Sequence, residues 1–168
     1  MKKISMIVLT VLTFGMTSCD MDKMPYDAIP AEEALTTIVG FEEARAGIYS
    51  VYLGLTGGSY VLAPEVQADA FNAVADFSNK YGELHRWTFE STNSTVETIW
   101  ANCYAAIGRA NFFIDGVGKI DENPEIELTE IQKQQINVYE GEAYFTRAYC
   151  YFYLATLFCR DYDVATAA

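Results

Sequence analysis

The sequence predicts an all-α fold, and three observations predict it. Two capping-box patterns, Ser94-Thr95-Val96-Glu97 and Thr129-Glu130-Ile131-Gln132, stand directly before long stretches whose apolar residues recur every three or four positions. A third stretch, Phe41 to Leu55, keeps the same period and stops at Gly57-Gly58. A single short segment, His85–Phe89, reads as a strand.

Taken in order, the chain starts with a basic Met1-Lys2-Lys3 and an apolar run from Ile4 to Met16, followed by Thr17-Ser18-Cys19. This is the layout of a signal peptide over residues 1–18. The run is about 13 residues, or about 20 Å as a helix, too short for about 30 Å of hydrocarbon. A Cys straight after Thr-Ser resembles the bacterial lipobox, which implies lipidation of Cys19. Each buried lipid CH₂ contributes about 0.8 kcal/mol, so several acyl chains anchor a protein to a membrane without a spanning helix. Residues 19–30, with Pro25 and Pro30, read as a linker, and Ala31 to Thr37 as a short helix.

From Phe41 to Leu55 the stripe is Phe41, Ala44, Ile48, Tyr52 and Leu55. Residues 57–93 read as a long irregular insertion. Tyr60, Phe71, Phe77, Tyr81 and Trp87 argue that it is ordered, because disordered segments are poor in aromatics. The second long helix opens at Ser94, carries the stripe Val96, Trp100, Cys103, Ile107, Ala110 and Ile114, and closes at Gly116 and Gly118. A turn at Asp121–Pro124 leads to the third, ending near Phe158. Its second half, Ala143 to Cys159, is apolar on nearly every side, which predicts burial all round. Three helices do not provide that, so the 168 residues are expected to be the front part of a longer chain, with 31–168 a helical region truncated at its C-terminus.

Ala105-Ala106-Ile107-Gly108-Arg109-Ala110 is echoed 38 positions later by Ala143-Tyr144-Phe145-Thr146-Arg147-Ala148. A period of this size points to helical hairpins of the tetratricopeptide kind.

The formal net charge is −12. Residues 1–18 hold two basic residues and no acid, so the rest carries −14. That balance argues against nucleic acid as a partner and against a polybasic membrane patch. With Cys19 lipidated, Cys103, Cys150 and Cys159 remain, an odd number that forms no disulfide framework. Each lies in an apolar helical run and reads as core packing. His85 is the only His, and no metal or cofactor motif accompanies it. The pairs Asp69/Asp76 and Asp161/Asp163 are the only hint of paired catalytic carboxylates, and spacing alone does not make a hydrolytic site of them. The sequence is read as that of a non-enzyme.

Two motifs carry a family resemblance. Trp100-x-x-x-Tyr104-x-x-Ile107-x-x-Ala110-Asn111 is followed by Gly141-Glu142-Ala143-x-Phe145-x-Arg147-Ala148-Tyr149-x-Tyr151-Phe152-x-Leu154-x-x-Leu157-Phe158. Together they resemble the RagB/SusD family of outer-membrane nutrient-uptake lipoproteins, over about Ile29 to Asp163. The resemblance implies a scaffold of tetratricopeptide-like hairpins with an irregular ligand-binding part. It implies capture of oligosaccharides, or in some members peptides, at the cell surface, for delivery to a TonB-dependent SusC-like transporter. Asp20 and Asp22 beside Cys19 resemble the surface-export signal of such lipoproteins. The alternative is a protein-interaction scaffold with no ligand of its own.

Sugar recognition needs flat aromatic faces for C–H stacking and amide, carboxylate or guanidinium groups for hydroxyls. The 60–93 segment supplies Trp87 for stacking and Arg86, Asp69, Asn72 and Asn93 for hydrogen bonds, with Asp76 and Asn79 nearby. In a strand, Arg86 and Trp87 point to opposite faces, so only one of the two is expected at a common site. Trp100 and the aromatics of Tyr144–Tyr153 are expected in the core. Arg147, seven residues after Glu140 on one face, reads as a structural charge or as a contact to ligand or transporter.

Overall fold

A computed structural model describes residues 31–74, 80–124 and 126–160, which belong to one compact unit beginning at Ala31. The signal peptide, Cys19, the linker, Asp76, Asn79, Asp161 and Asp163 lie outside the described residues.

The described residues are helical, without a strand. They form α1 (Ala31–Ala34), α2 (Ile38–Leu55), α3 (Ser59–Gln67), α4 (Gly82–His85), α5 (Ser94–Gly118) and α6 (Glu130–Phe158). Both long-helix starts follow from side-chain capping of orphan backbone N–H groups. At α6 the expected capping box is complete: Thr129 accepts from Gln132 N at 3.3 Å, and Thr129 N donates to the Gln132 side chain at 2.8 Å. At α5 the cap lies one residue earlier than expected. Asn93, not Ser94, accepts from Thr95 N at 3.0 Å and Val96 N at 3.4 Å. An Asn amide reaches the first-turn N–H groups as well as a Ser hydroxyl does, and leaves Ser94 as the first helical residue.

Three helices make the scaffold. Bonds and ring contacts fix their directions: Phe41 meets Phe113 and Gly47 meets Arg109, so α2 and α5 are antiparallel. Asn111 meets Arg147 and Trp100 meets Phe158, so α5 and α6 are antiparallel. Arg45 meets Glu142 and Tyr52 meets Tyr149, so α2 and α6 run parallel. The repeated Ala-x-x-x-Arg-Ala pattern has one structural use in both copies. Arg109 on α5 reaches back to α2, donating to Gly47 O at 2.6 Å and Ser50 Oγ at 2.9 Å. Arg147 on α6 reaches back to α5, donating to Asn111 Oδ1 at 2.9 Å. Arg147 is therefore tied to Asn111 and lies over the Tyr144 ring, 4.9 Å from its centroid.

The core has two parts. Phe41, Ile48, Ala110, Phe113, Ile136 and Ala143 fill one, with Phe41 and Phe113 edge to face at 5.6 Å. Leu55, Tyr60, Leu84, Ile99, Cys103, Cys150 and Leu154 fill the other. Burying each large apolar side chain stabilises by about 1.5–3 kcal/mol. Three sequence expectations fail here, the first being that Cys159, expected in the core, is exposed just past the end of α6. The buried line of α5 is Ile99, Cys103, Ala106, Ile107, Ala110 and Phe113, and Trp100 is turned out, 45% exposed. Small residues at the α5–α6 contact bring the helices close, and an indole does not fit there. In α6 only the line Ala143, Thr146, Cys150 and Leu154 is buried in the aromatic half, while Tyr144, Phe145, Tyr151, Phe152 and Phe158 are exposed. No helix among the described residues is long and apolar enough to cross a membrane.

The insertion is more regular than its composition suggests. It contains α3 and α4, and the strand expected at His85–Phe89 is instead the end of α4 and a turn. Pro64 lies inside α3 and has no N–H to give the Tyr60 carbonyl four residues back. The hydroxyl of Tyr153 on α6 donates to that carbonyl instead. The Tyr60 hydroxyl in turn donates to Thr98 O at 3.2 Å and Ile99 O at 3.3 Å. One aromatic pair thus fastens α3 to both long helices.

Candidate functional site

The α3–α4 segment leads into an anchored turn that presents the Trp87 ring to solvent. Leu84, 2% exposed, enters the core, and Phe89 packs against the same cluster. Between these two anchors the chain must reverse. It does so through hydrogen bonds from Arg86 N to Gly82 O, Trp87 N to Leu84 O and Thr88 N to Glu83 O, at 3.1, 3.2 and 2.9 Å. Trp87 takes the left-handed conformation, φ 56, and its side chain is 67% exposed. The ring lies 6.3 Å from that of Phe89, tilted by 45°.

Positive φ is uncommon for a non-glycine residue and costs free energy, most of all for a bulky one. Among the described residues Asp69, Tyr81 and Trp87 adopt it, and all three belong to this segment. Each is held from outside itself. The Tyr81 hydroxyl is 2.9 Å from Ser59 Oγ at the start of α3. Asp69 follows the end of α3, and its carboxylate is 3.6 Å from His85 Nδ1. The same His85 nitrogen is 3.3 Å from Val66 O. His85 therefore clamps the end of α3 to α4, and brings Asp69 to the helix turn that carries Arg86 and Trp87.

The remaining expected residues divide. Asn93 is structural, since besides capping α5 its amide donates to Glu83 Oε2 at 2.9 Å and docks α4 onto the start of α5. It lines a polar cleft of about 390 Å³ with Glu83, Thr88, Glu90, Thr92 and Ser94. Arg86 and Asn72 are exposed. The opposite-face argument for Arg86 and Trp87 lapses with the strand, since both belong to one turn. Among the described residues no group of three or more His, Cys, Asp or Glu is placed to hold a metal ion.

Sequence reasoning missed a second exposed surface. Tyr144 and Tyr151, seven residues apart on α6, flank Arg147 and Asn111 in an open cleft of about 630 Å³. Trp100 continues this surface, 5.0 Å from both the Tyr104 and Phe158 rings. The signal was present in the sequence as the all-round apolar character of α6. A solvated charge lies elsewhere in the scaffold: Arg45 forms a two-pronged bond with Glu142, at 2.5 and 2.8 Å, between the rings of Tyr139 and Tyr49. The guanidinium's hydrogen bonds hold the Glu142 carboxyl below the usual carboxylate range.

Residues 25–168 match the SusD-like family described as starch-binding and associating with the outer membrane. Over 163 residues the chain is 26% identical to the SusD-like protein P2 of Formosa agariphila, an alignment covering 93% of this chain and 29% of that relative. The chain thus spans less than a third of the relative's length. No solved structure matches. The family match extends from the proline-containing segment through every helix described above, and on that extent the chain belongs to the SusD-like family of outer-membrane-associated proteins.

Proposed function

We propose that this chain is part of a surface-displayed lipoprotein, anchored through Cys19, that captures oligosaccharides and delivers them to a TonB-dependent SusC-like transporter. The observation that carries the reading is Trp87: a large aromatic ring, 67% exposed, held at positive φ within a turn anchored on both sides. Such strain persists where surrounding structure over-determines it, and it concentrates at ligand clamps. An indole face fixed in this way stacks on the C–H face of a sugar with little loss of conformational freedom on binding. In this reading Arg86, Asp69 and Asn72 supply donors and acceptors for hydroxyls, and the polar cleft at Asn93 takes part. The family's description as starch-binding supports the same ligand class.

The test is affinity electrophoresis of the full-length lipoprotein through gels containing starch-type and other polysaccharides. Retardation by one glycan, lost in Trp87→Ala while the circular dichroism spectrum is unchanged, is the expected result. Equal retardation of both proteins would remove Trp87 from the site. Binding to peptides and to no glycan would redirect the reading to peptide uptake.

The exposed aromatic surface of α6 favours a second reading, in which the helices serve protein contact alone. Exposed apolar patches of this kind mark interaction surfaces. Co-purification with a transporter, without saturable binding of any glycan or peptide, would support it.

A further inference from the structure

Cys103 on α5 and Cys150 on α6 are both fully buried, 0% exposed, in one core cluster. Each thiol is the leading electrostatic influence on the other. They lie on the two helices whose packed faces also bury Ala106, Ala110 and Ala143, all 0% exposed. Packed helices have axes about 8–10 Å apart, and each Cα lies about 2.3 Å from its axis. Facing residues at a contact lined with small side chains therefore approach the Cα separation of about 4.4–6.8 Å that a disulfide spans. Cys159, the third cysteine of the described residues, is exposed and has no part in the cluster.

We propose that Cys103 and Cys150 form a disulfide joining α5 to α6 once the chain has left the cytoplasm. The inference rests on the outer-membrane placement, because disulfides form and persist in the cell envelope and rarely in the cytosol. It also uses the pair that the odd cysteine count concealed: an odd total excludes complete pairing, not one specific pair. Both sulfurs are inaccessible in the folded core, so oxidation takes place before the two helices close on each other. The oxidant is a protein disulfide of the envelope. One chain thiolate attacks that disulfide and forms a mixed disulfide, releasing one oxidant thiol. The second chain thiolate attacks the mixed disulfide, forming the Cys103–Cys150 bond and releasing the other oxidant sulfur. Two electrons and two protons pass from the chain to the oxidant, which leaves as a dithiol. In the folded reduced state, interaction with Cys150 lowers the Cys103 pKa, while interaction with Cys103 and burial raise that of Cys150.

The test is thiol mapping of the full chain extracted from cell membranes. The protein is alkylated in denaturant without reductant, digested and analysed by mass spectrometry. The expected result is alkylated Cys159 together with a linked peptide containing Cys103 and Cys150, about 2 Da lighter than the two reduced peptides combined. The same linked peptide is expected in Cys159→Ser. Complete alkylation of Cys103 and Cys150 without reductant would overturn the proposal, and so would a link from either one to Cys159. Recovery of the chain in the soluble fraction would instead count against the outer-membrane placement. In that case the same map after refolding in a glutathione buffer decides the pairing: a Cys103–Cys150 link upholds it, and free or scrambled thiols overturn it.

Discussion

Trp87 and Glu142 show how differently two exposed or half-exposed side chains contribute. Trp87 touches only Phe89 among the described aromatic rings, so its removal takes little from the core. Trp87→Ala is expected to keep the unfolding midpoint within about 0.5 kcal/mol of the parent and to weaken glycan retention about tenfold, as loss of an aromatic anchor does. Glu142 has the opposite profile. Glu142→Gln removes a two-pronged charged bond and leaves Arg45 between two rings, which is expected to cost about 1 kcal/mol in urea unfolding at pH 7. The sign of the pH dependence follows from the lowered Glu142 pKa. Its contribution is complete above the unfolded carboxylate range and is lost as pH falls through the folded value. The difference between parent and variant therefore shrinks on acidification below about pH 4. An unchanged difference down to about pH 2 would show that the bond is not the source.

At the scale of elements, two close approaches decide how the helices meet. A Cβ on Gly116 of α5 would stand 2.2 Å from Leu35 Cδ1. Gly116→Ala is expected to destabilise by about 1–3 kcal/mol through overpacking, and Leu35→Ala in the same chain to recover part of that loss. The α3–α6 link is the second. Tyr153→Phe leaves the Tyr60 carbonyl without a donor, because Pro64 has none to offer, at an expected cost of about 1–3 kcal/mol. Pro64→Ala restores a backbone N–H, so the double variant is expected to lose less than Tyr153→Phe alone. Additive losses in a double-mutant cycle would disprove that coupling. Burial pushes the Tyr60 and Tyr153 pKa values up to about 12 from 10.0. A raised folded pKa gives stability that is intact below about pH 10 and lost as pH climbs towards 12, so an alkaline unfolding limb is expected there. Tyr153→Phe should weaken that limb. The periodic stretches made α2, α5 and α6 legible, and the Thr129 cap was readable because its partners are three residues away. The turn at Trp87 was not, since its left-handed backbone depends on Leu84 and Phe89 finding the core, which local alternation does not encode.

The described residues form a three-helix scaffold with the α3–α4 segment pinned to one half of the core, and with an aromatic surface on α6 that they leave uncovered. Exposed patches of this kind promote association. The 168-residue chain is expected to self-associate in light scattering, and Phe145→Ser with Phe152→Ser to reduce it without loss of helix signal. A monodisperse parent chain would contradict this. Such a surface also accounts for the misplacement of Trp100. An apolar residue on a helix states a preference for burial, while the available neighbours decide which preferences are met.

Local chemistry was enough to determine the all-α class, the long helices to within a turn and the family, because caps, period and motif all act over a few residues or along one helix. The tertiary structure alone decided that Trp87 stands in solvent while Trp100 leaves the buried line. It also decided that Asn93 caps α5 and that Cys103 and Cys150 share one buried cluster. Each of those outcomes depends on which helix faces are brought together by segments far apart in the chain, and helical periodicity carries no record of the partner.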